Sequence, residues 1–342
     1  MNAADRSLLA VRNLSVQFER AGAPARAVTN VSFELKRGEV LCLLGESGCG
    51  KTVTLRAITK LLPRRTKVSG EILLDGDNLL TMTRRRLNAV RGGRIAMIFQ
   101  DALLAFDPIY SIGDQMVETI RCHAALKAAA ARTRALKLLD MVHIPSSERC
   151  FASYPHELSG GTCQRALIAL ALSCQPDLLL ADEPTTALDA TVQIQILILL
   201  REIQRQSGMS MIFVTHDIGV AAEIADRVAI MYAGRIIETG TAGEVLSAPK
   251  HPYTQGLLAS ASSGLKRGEQ LQAIPGSPPN LSALPAGCSF WPRCRHAMPA
   301  CQEIIPEETY LAAHRTVCCH LLHAQRITNL SEIMFRRSVS GS

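Results

Sequence analysis

The eight residues GESGCGKT at positions 45–52 constrain this chain more than any other feature. They lie between an apolar run, Val40–Leu44, and a helix-compatible stretch over 53–62. The pattern GxxxxGK[ST] in a strand–loop–helix setting wraps backbone around a polyphosphate. Glycines permit the close approach, and successive N–H groups then point inward as donors. The following helix turns its positive end to the same charge. Lys51 is expected to reach the β- and γ-phosphates, and Thr52 to ligate Mg²⁺. Four fixed positions arise by chance in roughly one chain in a hundred of this size. The flanking strand and helix therefore turn the pattern into a prediction of nucleotide binding.

The chain has 342 residues, which suggests about two domains and a core large enough to fold unaided. Hydrophobic residues make up 47%, yet the longest uncharged run, 270–292, is rich in Pro, Gly and Ser and unsuited to a lipid-embedded helix. The N-terminus carries Asp5, Arg6 and Arg12 without a sustained apolar segment, so no secretory signal is expected. Work at a membrane would then go through a partner. The net charge of +7 is scattered apart from runs at 84–86 and 60–67, which reads as solvated surface rather than a nucleic-acid stripe. Eleven cysteines without a signal point to thiols or metal ligands, not a disulfide scaffold.

Alternating patterns predict β-structure over 8–44, with further strands at 70–74 and 95–99. From 111 to 173 the pattern becomes helical, and the alanine-rich stretch 122–142 has strong helix propensity. Strand and helix then alternate: strands at 178–181 and 209–215, helices at 191–204 and 218–225, and a hairpin turning at Ala233-Gly234. A Pro/Gly-rich linker is expected from about 248, followed by a small cysteine-rich tail. The expected fold is α/β: a parallel-sheet nucleotide-binding core with a helical insertion and a small cysteine-rich tail.

Leu178 to Ala181 is an apolar strand ending in Asp182 and Glu183. Ligand groups in α/β sheets gather at such strand ends. Asp182 is placed to hold Mg²⁺, and Glu183 to polarise an attacking water. His216 follows the next strand as a γ-phosphate contact. Gln100 ends the strand at 95–99, where its amide could bind Mg²⁺ or orient water. Ser159 with Gly160 and Gly161 opens a helix and makes a second anion site. One chain needs a single phosphate cradle, so a second implies another subunit's nucleotide.

The ordered set GESGCGKT, Gln100, LSGG, LLLADEP, Ala187-Leu188-Asp189 and His216 resembles an ATP-binding cassette ATPase over about 14–245. The resemblance implies that Phe18 stacks on adenine and that Gly45, Glu46, Ser47, Gly48, Cys49, Gly50, Lys51 and Thr52 form the phosphate cradle. It implies head-to-tail pairing with a second ABC ATPase subunit, identical or different, with Ser159, Gly160 and Gly161 serving the other's ATP and Asp189 coupling the two sites. Tyr154-Pro155-His156-Glu157, His251-Pro252-Tyr253-Thr254 and Ile274-Pro275-Gly276-Ser277-Pro278-Pro279 leading into Gly287-Cys288 narrow it to oligopeptide/dipeptide/nickel importer ATPases. Thr162 stands where Gln is commonest and Cys49 where Ser is common; backbone groups do the binding at both places.

The resemblance implies an α/β phosphate-loop cassette over 8–247, its parallel-sheet core joined by an antiparallel β-subdomain and a helical subdomain over about 101–175, then a small importer-type extension over 248–321 and a tail over 322–342 that is unplaced and disordered. Spacing alone leaves both a metal centre and free thiols open for the cysteine cluster. The resemblance implies a [4Fe–4S] cluster on Cys288, Cys294, Cys301 and Cys319, the last favoured over Cys318 because it precedes His320. The cofactors implied are ATP and Mg²⁺. Implied partners are transmembrane permease subunits and, indirectly, a substrate-binding protein, with no nucleic acid; the implied location is peripheral, on the cytoplasmic face of the inner membrane. The expected function is ATP hydrolysis driving import of peptides or similar small solutes. Nickel or glutathione import is the alternative within the family, and a soluble cassette acting on nucleic acid the alternative of another class.

Overall fold

The computed structural model describes residues 7–19, 23–186, 188–261 and 274–322. Its centre is an eight-stranded sheet in the order β11-β12-β10-β9-β3-β8-β7-β6. These strands are β3 (Val40–Leu44), β6 (Ile95–Ile98), β7 (Leu178–Asp182), β8 (Ser210–Thr215), β9 (Arg227–Tyr232), β10 (Arg235–Thr241), β11 (Thr309–Ala312) and β12 (Arg315–Val317). From β9 across to β6 all pairs are parallel. Every residue of β3, β7 and β8 is buried, as both-face burial of a parallel sheet requires, and their sequences are apolar runs rather than alternating, with polar residues only at strand ends: Asp182, Ser210 and Thr215. The register sets Leu44 opposite Thr215, Asp182 opposite Val214 and Ile98 opposite Ala181. Residues 45, 100, 183 and 216 therefore leave the sheet along one edge.

A second, antiparallel sheet runs β2-β1-β4-β5 from β1 (Ser7–Phe18), β2 (Ala25–Lys36), β4 (Thr66–Leu74) and β5 (Asp77–Asn78). Its apolar face shares one core with the helix Lys51–Ile58 and with Leu41, Leu43 and Val214. That helix stops four residues short of the expected 62, where Lys60 turns left-handed at φ 51°.

The helical part is Ile112–His123, Ala128–Met141, Ser147–Ala152 and Gly160–Ala171. The alanine-rich stretch is not one helix. It breaks after His123 and restarts at Ala128, and Leu126 N–H bonds back to the Ala124 carbonyl. Packing overrides propensity here: the break lets Met116 and Ile120 of one helix share a core with Ala131, Ala135 and Leu139 of the next.

The expected linker from 248 is also corrected. Pro252–Ala261 is a helix, with Tyr253 fully buried beside Tyr232 and Phe290. The Tyr232 and Tyr253 rings lie 4.6 Å apart. Glu238, wholly buried in β10, accepts the Lys250 and His251 N–H groups and faces Arg315. β12 then pairs with β10 antiparallel. Among the described residues no helix is long and apolar enough to cross a membrane. Ala187 and the tail expected to be disordered, from 323 on, lie outside the described residues.

Candidate functional site

The loop between β3 and the helix Lys51–Ile58 is shaped by its glycines. A Cβ on Gly45 would stand 2.3 Å from the Met231 carbonyl oxygen. Gly50 holds φ 107°, and a Cβ there would stand 2.5 Å from the Ala27 carbonyl oxygen. Side chains cannot occupy either place without moving backbone. Lys51, 4% exposed, donates its ammonium to the carbonyls of Gly45 at 2.6 Å and Glu46 at 3.0 Å. The loop's own oxygens thus hold the cation where a polyphosphate would recruit it. Cys49 is buried with its thiol pushed up by desolvation, and it does not line the cavity in front of the loop. Nor does the Glu46 side chain, whose carboxylate is taken up by Arg293.

The strand ends face this loop. Thr52 donates its hydroxyl to Asp182 Oδ1 at 2.8 Å. Asp182 is 2% exposed, and burial raises its carboxyl above the ordinary value while the Thr52 hydrogen bond pulls the other way. A buried carboxylate beside a hydroxyl is a hard oxygen pair suited to Mg²⁺, whose charge would favour the ionised form. Glu183 sits at φ 47°, a left-handed conformation uncommon outside glycine, and its N–H is fixed by the Val214 carbonyl at 3.0 Å. Its carboxylate lies 4.0 Å from Lys51 Nζ, 3.3 Å from His216 Nδ1 and 3.4 Å from Gln100 Nε2. Thr186 Oγ1 also donates to it at 3.0 Å. Sequence reasoning singled out Glu183, Lys51, His216 and Gln100 and missed Thr186, three residues beyond Glu183.

A cavity of about 400 Å³ opens here, lined by Phe18, Ser47, Gly48, Gly50, Lys51, Thr52, Gln100 and Glu183. Asn280, Leu281 and Ser282 close one side of it, and Arg26 N–H donates to the Leu281 carbonyl at 3.0 Å. These three residues gave no sequence signal, because nothing local marks a segment that pairs with β2 from so far along the chain.

Ser159, Gly160, Gly161 and Asp189 do not line this cavity. Ser159 caps the helix Gly160–Ala171 through the Thr162 N–H, and Asp189 caps the helix Ala190–Ser207 through the Val192 N–H at 2.9 Å. A Cβ on Gly161 would stand 2.9 Å from Val192 Cγ1, so the two helix starts abut. Both capping residues are exposed or half-exposed.

In the extension, Cys288 N–H donates to the Cys301 carbonyl at 2.8 Å and His296 N–H to Cys294 Sγ at 3.4 Å. The Cys319 thiol is pushed up to about 11 by burial first and then by Cys288, Cys294 and Cys301. Cys318 differs: its thiol donates to the Ile236 carbonyl at 3.7 Å. All eleven cysteines are unpaired, and among the described residues no group of three or more His, Cys, Asp or Glu is placed to hold a metal ion.

A family model described as ABC transporter matches residues 28–186, and one described as oligopeptide/dipeptide transporter, C-terminal region, matches 237–301. The chain is 45% identical over 316 residues to the dipeptide transport ATP-binding protein DppD of Bacillus subtilis strain 168, with 92% of this chain and 94% of that protein covered. The chain belongs to the ABC transporter family. It is an ABC ATPase. The oligopeptide transport ATP-binding protein OppD of the same organism is 47% identical over 85% of this chain and 82% of its own length. Among solved ABC cassettes, MJ0796, a dimer in a post-hydrolysis state with ADP and Pi, superposes with a TM-score of 0.62 at 28% identity, covering 68% of this chain and 98% of that one. The cassette cbiO1 of Clostridium perfringens, part of the cbiONQ transporter complex, gives 0.60 at 28% identity, covering 71% and 92%.

Proposed function

We propose that this ABC ATPase energises the import of peptides through separate membrane permease subunits, from the cytoplasmic face of the membrane. The observation that carries the mechanism is the convergence of Lys51, Gln100 and His216 on Glu183 in front of the phosphate loop. The peptide class rests on the likeness to the dipeptide and oligopeptide transport proteins and on the matched C-terminal region.

The loop N–H groups and the start of the helix Lys51–Ile58 take the polyphosphate, and Lys51 exchanges the Gly45 and Glu46 carbonyls for phosphate oxygens. Thr52 and Asp182 hold Mg²⁺, with Gln100 within reach of the same space; the bound cation supplies charge neutralisation at the transferred phosphoryl group. Glu183 polarises the attacking water, and His216 meets the γ-phosphate. Phe18 offers its ring to the base. The exposed turn Ser159-Gly160-Gly161 serves the ATP of a paired cassette, and Asp189 beside it couples the two sites. Gln100 leads into a surface where Leu104 is 85% and Ile109 75% exposed, an apolar face suited to a permease loop. In this reading 8–247 is the cassette and 248–321 the importer-type extension, and a substrate-binding protein delivers the cargo.

The extension is further read as holding a [4Fe–4S] cluster on Cys288, Cys294, Cys301 and Cys319. Support comes from backbone N–H groups directed at Cys288, Cys294 and Cys319, the kind of hydrogen bonding that stabilises thiolate ligands. Anaerobically purified protein that is colourless and iron-free rejects the cluster. For the transport reading, ATPase activity is measured in vesicles with the copurifying permease. Stimulation by di- or oligopeptide with the binding protein is expected; stimulation by nickel or glutathione alone, or by DNA or RNA without permease, would reassign the cargo or the class.

A further inference from the structure

Glu46 places a carboxylate inside the loop that holds the polyphosphate, where an uncompensated negative charge opposes binding. Arg293, 247 residues further on, meets it with a two-pronged pair: Nη1 to Oε2 at 2.8 Å and Nη2 to Oε1 at 3.0 Å. Both nitrogens donate along the planar fork that suits a carboxylate. Arg293 is 7% exposed and makes two further hydrogen bonds, Nε on the Pro275 carbonyl at 2.8 Å and Nη1 on the Tyr232 hydroxyl at 3.3 Å. The pair with Glu46 raises the guanidinium's already high pKa, so it stays charged.

The main chain of Glu46 is held too. Its N–H donates to the Tyr253 hydroxyl at 3.0 Å, and its carbonyl accepts from Lys51 Nζ. Every polar group of this one loop residue is engaged. Tyr253 and Arg293 both come from beyond 248, and Lys51 is the loop's own cation. The extension thus grips the phosphate loop at a single residue, from its outer side.

We propose that Arg293 is a positioning residue for ATP: by neutralising and clamping Glu46, it sets the first turn of the phosphate loop for nucleotide. The inference rests on ATP binding at the loop and is independent of the cargo and of the cluster.

The test uses the full chain, a fluorescent ATP analogue with Mg²⁺ for Kd, and steady-state ATPase for KM and kcat. Arg293→Ala is expected to raise Kd and KM about tenfold, the scale of one unscreened charge near the polyphosphate, with kcat at saturating ATP within twofold. Arg293→Lys, which keeps the charge and loses the fork, is expected to raise Kd about threefold. The deciding variant is Arg293→Ala with Glu46→Gln, which removes the stranded carboxylate and is expected to bring Kd back within about threefold of the parent. Iron is measured on the same samples, and replacing Glu46 cannot restore a lost cluster, so recovery separates this role from the cysteines. An unchanged Kd in Arg293→Ala, or a double variant as weak as the single, overturns the proposal. Should Arg293→Ala not fold, an unchanged Kd in Arg293→Lys overturns it instead.

Discussion

Thr52 and Asp182, 130 positions apart, meet through a 2.8 Å hydrogen bond from hydroxyl to carboxylate. The contact ties the phosphate loop to the end of β7 and presents two oxygens to one point. Asp182→Asn keeps an acceptor for Thr52 and removes the charge. The fold is expected to hold, while the Mg²⁺ concentration giving half-maximal ATPase rises at least about tenfold. A magnesium titration of activity checks this, and an unchanged midpoint removes Asp182 from the cation site.

Glu183 is held by four side chains and an unusual backbone conformation, a costly arrangement unless its carboxylate acts. Glu183→Gln is expected to bind ATP as tightly as the parent and to lose turnover by about 10²–10⁴-fold. Binding and steady-state hydrolysis on one preparation decide it. Full turnover in the variant would hand the water to another group.

Two glycines should respond oppositely to the same change. Gly45→Ala drives a methyl to 2.3 Å from the Met231 carbonyl oxygen, so ATP binding is expected to fall below detection. Gly243→Ala, in the helix Ala242–Ser247 with nothing within 4 Å of the new methyl, is expected to leave ATPase unchanged and raise stability by up to about 1 kcal/mol. Equal behaviour of the two variants would mean that loop packing does not set the cradle.

His251 is 1% exposed, and burial pushes its pKa down to about 3 from 6.5. Its Nδ1 accepts the Tyr253 N–H at 3.0 Å, so the fold keeps the neutral ring. The unfolded chain takes up a proton below pH 6.5 and the folded chain does not. Stability from this residue is therefore full above that pH and lost progressively as pH falls toward 3. At pH 5.5 the loss is about 1.4 kcal/mol. His251→Asn retains an acceptor without the proton uptake. The stability difference between pH 7.5 and 5.5, measured by urea unfolding, is expected to shrink by about that amount.

The parts of this site that sequence reveals are those set by local chemistry. A glycine loop must read as glycines, and buried parallel strands must read as apolar runs followed by polar groups at one end, so Lys51, Thr52, Asp182, Glu183 and His216 are all legible. Interactions between distant segments leave no such mark. Nothing around Arg293 announces Glu46, and nothing around Asn280 to Ser282 announces β2. The helix break at Ala124 to Lys127 is hidden for a related reason: every residue there tolerates a helix, and only the core formed by Ile120 and Leu139 requires the turn. Likewise, proline and glycine near 248 read as a linker, whereas the buried ring of Tyr253 anchors that segment as a helix.

β10 takes β12 along its free flank, Glu238 opposite Val317 and Thr239 opposite Thr316. A version cut at 247, which retains the phosphate loop and Glu183 but loses Asn280 to Ser282 and Arg293, would carry a bare row of unpaired amides and carbonyls and a stranded Glu238. Raw flanks of this kind recruit copies of themselves. The pair β11 and β12 therefore also stands as a guard rail, covering a flank along which copies of the cassette would otherwise clump.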